Sequence, residues 1–166
     1  MLQTAKGSLR RTVTVTADQT ALLTEAIYPG WLTLFSPIEL EIREGTRVIR
    51  LDDRNQVLLS PGSHELQLEN RALGYREVRS VELKPGETTS VSITPPPSTL
   101  AVTATLPSEV SIDGERVGET PLTNQPISLG TRNVTVRSTA GDERSFTITV
   151  TVKPVELDVD FSKAPR

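Results

Sequence analysis

Apolar and polar residues alternate with a period of two along most of the chain. Val13 and Val15 alternate with threonines, and Leu32 and Leu34 flank Thr33. The same spacing joins Leu40 to Ile42, Leu66 to Leu68, Val81 to Leu83 and Val91 to Ile93. It returns at Leu100 and Val102, Val110 and Ile112, and Val134 and Val136. Phe146, Ile148, Val150 and Val152 form the longest run, and Leu157, Val159 and Phe161 the last. In a strand, alternate side chains share a face, so each run has one apolar and one polar side. The pattern predicts short antiparallel strands with one wet face each. Thr20–Ile27 has room for two helical turns, but the repeat described below makes it a strand.

Turn residues fall between the runs. Pro61-Gly62, Pro85-Gly86, Asp113-Gly114 and Gly141-Asp142 punctuate the strands. Asp-Gly supplies positive φ at low cost and is a strong signal for a short hairpin.

The runs repeat. Val81-Glu-Leu-Lys-Pro recurs as Val150-Thr-Val-Lys-Pro, 69 residues on. Leu32-Thr-Leu recurs as Leu100-Ala-Val, 68 residues on, and Pro61-Gly-Ser-His-Glu-Leu-Gln-Leu as Leu129-Gly-Thr-Arg-Asn-Val-Thr-Val. Leu40-Glu-Ile with the loop to Gly45 aligns with Val110-Ser-Ile and the loop to Gly114. One order and nearly one offset predict two copies of one unit. Val13–Thr20 aligns in turn with Val81–Thr88. Three segments are therefore expected. Residues 1–29 are the terminal hairpin of a truncated preceding repeat, or extra strands on the first copy. Residues 30–97 and 98–166 are the two copies. Pro95-Pro96-Pro97 stiffens the junction between them.

Composition narrows the function classes. The 166 residues carry a net charge of −3 with no long run of one sign. That argues against nucleic acid, which asks for a basic face, and against an anionic membrane surface. There is no cysteine, so disulfides and thiolate chemistry are excluded. No stretch approaches the roughly 18 apolar residues of a spanning helix, and no segment reads as a signal peptide. Six aromatic residues leave the core mainly aliphatic.

With the repeat in view, the residues resemble the PEGA domain family. The second copy carries Val110-Ser-Ile-Asp-Gly-Glu-Arg-Val-Gly-Glu-Thr-Pro-Leu122. The first carries Pro61-Gly-Ser-His-Glu-Leu-Gln-Leu and Gly74-Tyr75. The first copy departs from the pattern with Arg43-Glu44-Gly45 and lacks Thr-Pro-Leu; the second has Ala140-Gly141-Asp142 where Gly-Tyr belongs. The resemblance implies small β-sandwiches, often in tandem, in bacterial and archaeal envelope or surface proteins, some beside membrane-anchored Ser/Thr kinases. It supplies no catalytic residues.

Candidate chemistry is sparse. His64 is the single histidine and falls at a structural position of the repeat. Asp52, Asp53 and Asn55 lack the spacing of a calcium loop and predict a solvated turn. Glu156, Asp158 and Asp160 share a strand parity and predict a wet outer face. Asn133-Val134-Thr135 fits a glycosylation sequon inside an alternating strand. Tyr28-Pro29-Gly30-Trp31 sets two large aromatics beside a turn. Exposed, they suit a ligand or a partner pocket; the alternative is that Trp31 packs against the neighbouring copy.

The fold expected is all-β: two tandem immunoglobulin-like, PEGA-type sandwiches preceded by a partial repeat hairpin. Ile112 and Ile148 are expected in the second core. The turns Asp113-Gly114, Pro61-Gly62 and Pro85-Gly86 are structural, and Tyr28 and Trp31 are the candidate contacts. No catalytic residue, cofactor or metal is expected. The function expected is a non-catalytic extracytoplasmic interaction module, periplasmic or at the cell surface. Its partner is a protein or an envelope polysaccharide, with no nucleic acid and no insertion into a membrane. The alternatives are a structural spacer or assembly domain that pairs through edge strands, or the sensor region of a membrane-anchored Ser/Thr kinase.

Overall fold

The structure, a computed structural model, describes residues 2–4, 7–9 and 28–163. The runs at Val13–Thr20 and Thr20–Ile27 lie outside the described residues. Strands β1 (Leu2–Thr4) and β2 (Gly7–Leu9) pair antiparallel, with Leu2 opposite Leu9. The described residues contain strands and turns and no helix.

Alternation makes the next seven strands: β3 (Gly30–Phe35), β4 (Glu41–Glu44), β5 (Arg47–Ile49), β6 (Gln56–Leu59), β7 (Gly62–Asn70), β8 (Tyr75–Leu83) and β9 (Thr88–Ser92). They form a three-stranded sheet, β6–β3–β9, and a four-stranded sheet, β5–β4–β7–β8. Seven more follow: β10 (Ser98–Ala104), β11 (Ser108–Ile112), β12 (Glu115–Glu119), β13 (Leu122–Ile127), β14 (Gly130–Ser138), β15 (Glu143–Val150) and β16 (Val155–Val159). Their sheets are β13–β10–β16 and β12–β11–β14–β15. Strand for strand, the two sets have one order.

By compactness the chain forms two units. The first ends at Glu69 and resumes over Arg76–Thr94; the second takes Asn70–Tyr75 and the chain from Pro95. Within the second, the Leu73 carbonyl accepts the Val152 N–H at 3.0 Å.

Apolar residues from both sheets of each unit turn inward, as a sandwich requires. Leu32, Leu34, Ile42, Leu59, Leu66, Leu68, Val81, Leu83 and Ile93 are buried in the first set of strands. Leu100, Val102, Val110, Ile127, Val134, Val136, Val150 and Val159 are buried in the second. Ile112 and Ile148 are only half-buried, which corrects the expected core. Ile112 sits at the end of β11, beside a turn, and Ile148 lies on β15, an edge strand with one neighbour.

Pairing also departs from the all-antiparallel expectation. β3 runs parallel to β9, and β10 parallel to β16. In each unit the last strand comes from the four-stranded sheet and joins the sheet of the first strand in the same direction. Such a pair needs a long connection, and here the other strands of the unit supply it.

Register corrects one alignment. Ile42 lies opposite Leu68, as Val110 lies opposite Val136. So Ile42, and not Leu40, is the counterpart of Val110, and the 68-residue offset holds through this hairpin. Gly45 then corresponds to Asp113.

Candidate functional site

Trp31 is held by a turn. Lys84-Pro85-Gly86-Glu87 reverses the chain with Gly86 at φ +70°, and the Glu87 N–H reaches the Lys84 carbonyl at 3.3 Å. Proline fixes the first central position of such a turn, and glycine accepts positive φ at the second. The turn grips the aromatic segment. The Gly86 N–H donates to the Pro29 carbonyl at 3.2 Å, and the Trp31 N–H donates to the Glu87 carbonyl at 2.9 Å. Tyr28 precedes β3 and is 62% exposed.

Register shows what shares Trp31's face. Trp31 lies opposite Leu58 of β6 and Thr88 of β9, Thr33 opposite Gln56 and Ser90, and Phe35 opposite Ser92. Directly opposed residues point to one side of a sheet. Leu32 and Leu34 point the other way, into the core. The outer face of β6–β3–β9 therefore presents Trp31 at 40%, Phe35 at 50% and Leu58 at 44% exposure. Between the aromatics Thr33 is buried, and the Gln56 Nε2 donates to its Oγ1 at 3.2 Å. No residue of this face is charged.

Sequence reasoning singled out Trp31 and missed Phe35 and Leu58. Phe35 has Trp31's parity in the same run, which is a readable signal. Leu58 needed the pairing of β6 with β3.

The second unit carries the same face without the aromatics. Thr99 lies opposite Pro126, as Trp31 lies opposite Leu58. Ala101 lies beside Glu156, and Thr103 beside Asp158. The Thr103 hydroxyl donates to Asp158 Oδ1 at 2.9 Å. One strand order thus closes with threonines where the first unit has Trp31 and Phe35, so the architecture does not require those rings.

His64 is a buried clamp. Its Nε2 donates to the Ser60 carbonyl at 2.7 Å, and its Nδ1 lies 2.6 Å from Glu44 Oε1, a proton between them. Arg132 holds the matching place on β14. Its Nε donates to the Ser128 carbonyl at 3.1 Å, and its Nη1 donates to Asp113 Oδ2 at 3.1 Å. In both units a base ties the connection before the long central strand to an acid on the β4–β5 or β11–β12 hairpin.

Asp113 and Gly114 form the two-residue turn between Ile112 and Glu115, at φ +51° and +88°. Positive φ at both positions is the type I′ geometry that Asp-Gly favours. The Asn133 N–H donates to Asp113 Oδ1 at 2.9 Å. That backbone bond, helped by Arg132, holds the Asp113 carboxyl below its usual range. The other turn glycine, Gly62 after Pro61, adopts φ +126° ahead of β7.

Two other acidic candidates, Asp52 and Asp160, have local partners. Asp52 Oδ1 accepts the N–H groups of Arg54 and Gln56 at 2.9 and 2.8 Å, closing a turn. Asp160 accepts from Ser162 and pairs with Lys163 at 3.2 Å, which lowers its pKa. Among the described residues no group of three His, Cys, Asp or Glu side chains is placed to hold a metal. Asn133 lies within β14, opposite Thr147. A cleft of about 720 Å³ opens beside Phe35, with Leu34, Ile42 and Ile93 at its floor. No helix among the described residues is long and apolar enough to cross a membrane.

Residues 98–164 match the family model described as the PEGA domain. Among solved structures the chain is similar to the Bacillus anthracis TIE protein, at 16% identity and a TM-score of 0.43. The similarity covers 80% of this chain and 34% of that one, so the chain spans about a third of that protein's length. No curated protein matches the chain.

Proposed function

We propose, from the premise that residues 98–164 belong to the PEGA domain family, that this chain is a non-catalytic, extracytoplasmic interaction module. Domains of this family are typically extracellular or periplasmic, which supports that placement. The first unit, a divergent copy of the second, makes the contact, and the outer face of β6–β3–β9 is its surface. The partner is an envelope polysaccharide or a protein.

One observation carries this reading. Exposed Trp31, Phe35 and Leu58 occupy a face whose counterpart in the second unit is Thr99, Thr103 and Pro126. Large exposed apolar side chains cost solubility and are enriched where proteins bind. A face that the architecture can fill with threonine keeps tryptophan for another reason. The second unit, whose face carries Glu156 and Asp158, serves as a spacer. A sensor role beside a kinase is the remaining alternative, and the flanking sequence of the parent protein tests it.

The binding reading is tested by co-sedimentation with peptidoglycan sacculi and other insoluble envelope fractions, at low and high salt. Salt-resistant pelleting that is lost in Trp31→Ala supports it. A chain left wholly in the supernatant overturns the polysaccharide partner and leaves the protein partner or the spacer.

A further inference from the structure

We infer that the outer face of β6–β3–β9 is a stacking platform for a linear, uncharged polysaccharide; this rests on the contact-face reading above and names its ligand.

Charge is the first argument. Trp31, Thr33, Phe35, Gln56, Leu58, Thr88, Ser90 and Ser92 make up the face, and none is charged. An anionic polymer would find no lysine or arginine on it to replace its counterions. A charged partner of either sign would be desolvated there without a counter-charge.

Size is the second. Three strands about 4.8 Å apart give a width near 10 Å, and the four residue steps from Trp31 to Phe35 give a length of about 13 Å. A stable protein interface buries about 800 Å² on each partner, several times this strip. The strip fits a narrow, extended chain.

Composition is the third. Protein interface cores are depleted in serine, whereas hydroxyls and an amide here flank every aromatic. A pyranose ring presents an apolar C–H face and a polar equatorial edge. The first stacks on Trp31 and Phe35; the second meets Thr88, Ser90, Ser92 and Gln56. The rings stand on β3, which pairs with β6 as far as Thr33 and with β9 as far as Phe35, and Glu87 further holds the Trp31 backbone. Such a site loses little entropy on binding. The spacing of Trp31 and Phe35 makes the ligand run along β3 and reach both rings.

The chain has one tryptophan, so its fluorescence reports this face alone. The experiment titrates the intact chain with soluble neutral β-linked oligosaccharides, cello- and chito-oligosaccharides of increasing length, and follows Trp31 emission. The expected result is a saturable change, with affinity rising until the ligand spans both rings. Phe35→Ala should weaken binding by about tenfold or more and leave the Trp31 signal in place. High salt should change the affinity little, because no ion pair is formed. Circular dichroism of Phe35→Ala separates lost binding from lost fold. Emission unchanged by every oligosaccharide, or equal binding by Phe35→Ala, overturns the inference. If those titrations are silent while Trp31→Ala still abolishes pelleting with envelope fractions, the glycan fails and the contact face stands. If the native chain neither pellets nor responds, the glycan fails and the protein partner or the spacer remains.

Discussion

Replacing His64 with leucine keeps the volume and removes both hydrogen bonds. The Ser60 carbonyl and the Glu44 carboxylate lose their partner. A buried group left without its bond costs about 1–3 kcal/mol, and a bond to a charged group contributes about 1.5–3 kcal/mol. His64 is 7% exposed at its side chain, so nothing replaces its share of the bonding. Glu44 is 31% exposed and regains water, which discounts its part. The expected loss is about 2–4 kcal/mol, set against the roughly 5 kcal/mol of a marginal domain. A domain of this size shifts by about 4–8 °C per kcal/mol, so the first unit should melt about 8–32 °C lower. Urea unfolding followed by Trp31 emission reads the first unit alone. His64→Arg should retain most of the stability, because Arg132 bonds the equivalent Ser128 carbonyl in the second unit. A double-mutant cycle with Glu44→Gln should give a coupling of about 1–2 kcal/mol. A loss under about 0.5 kcal/mol in His64→Leu, within the range of ordinary surface changes, would refute the clamp.

Val136→Asp should unfold the second unit and spare the first. It places a charge at a fully buried site, a change costing more than about 4 kcal/mol. Calorimetry should lose one transition while Trp31 emission keeps its urea midpoint. Acid should weaken the second unit through Asp113. Its pKa is lowered from 3.8 by the Asn133 N–H and by Arg132. A depressed folded pKa gives stability that is present above 3.8 and lost as pH falls through the folded value. Asp113→Asn should flatten that part of the acid unfolding curve; an unchanged curve rejects the linkage.

Strands were legible because alternation is local: Val134 and Val136 both point inward, as their spacing requires. The Asp113-Gly114 turn was legible because positive φ limits the residues that fit. Parallel pairing of β3 with β9 was not, since strand direction within a sheet depends on the whole connection. The burial of Ile112 and Ile148 was overestimated, because periodicity gives the side of a strand and says nothing of strand ends or sheet edges. Trp31 was readable beside Pro29-Gly30, but its neighbours come from pairing across the sheet. His64 read as structural, yet its partners Glu44 and Ser60 are fixed only by tertiary register.

The central claim, that Trp31 and Phe35 serve contact and not folding, is tested most directly by giving the first unit the second unit's residues. The double variant Trp31→Thr, Phe35→Thr places on β3 what β10 carries at Thr99 and Thr103. Its melting, followed by circular dichroism, and its pelleting with envelope fractions are measured together beside the native chain. The account expects the variant to stay folded, with a modest fall in melting temperature from the buried parts of the two rings, and abolished pelleting. A large fall in melting temperature, or pelleting that persists, would contradict it.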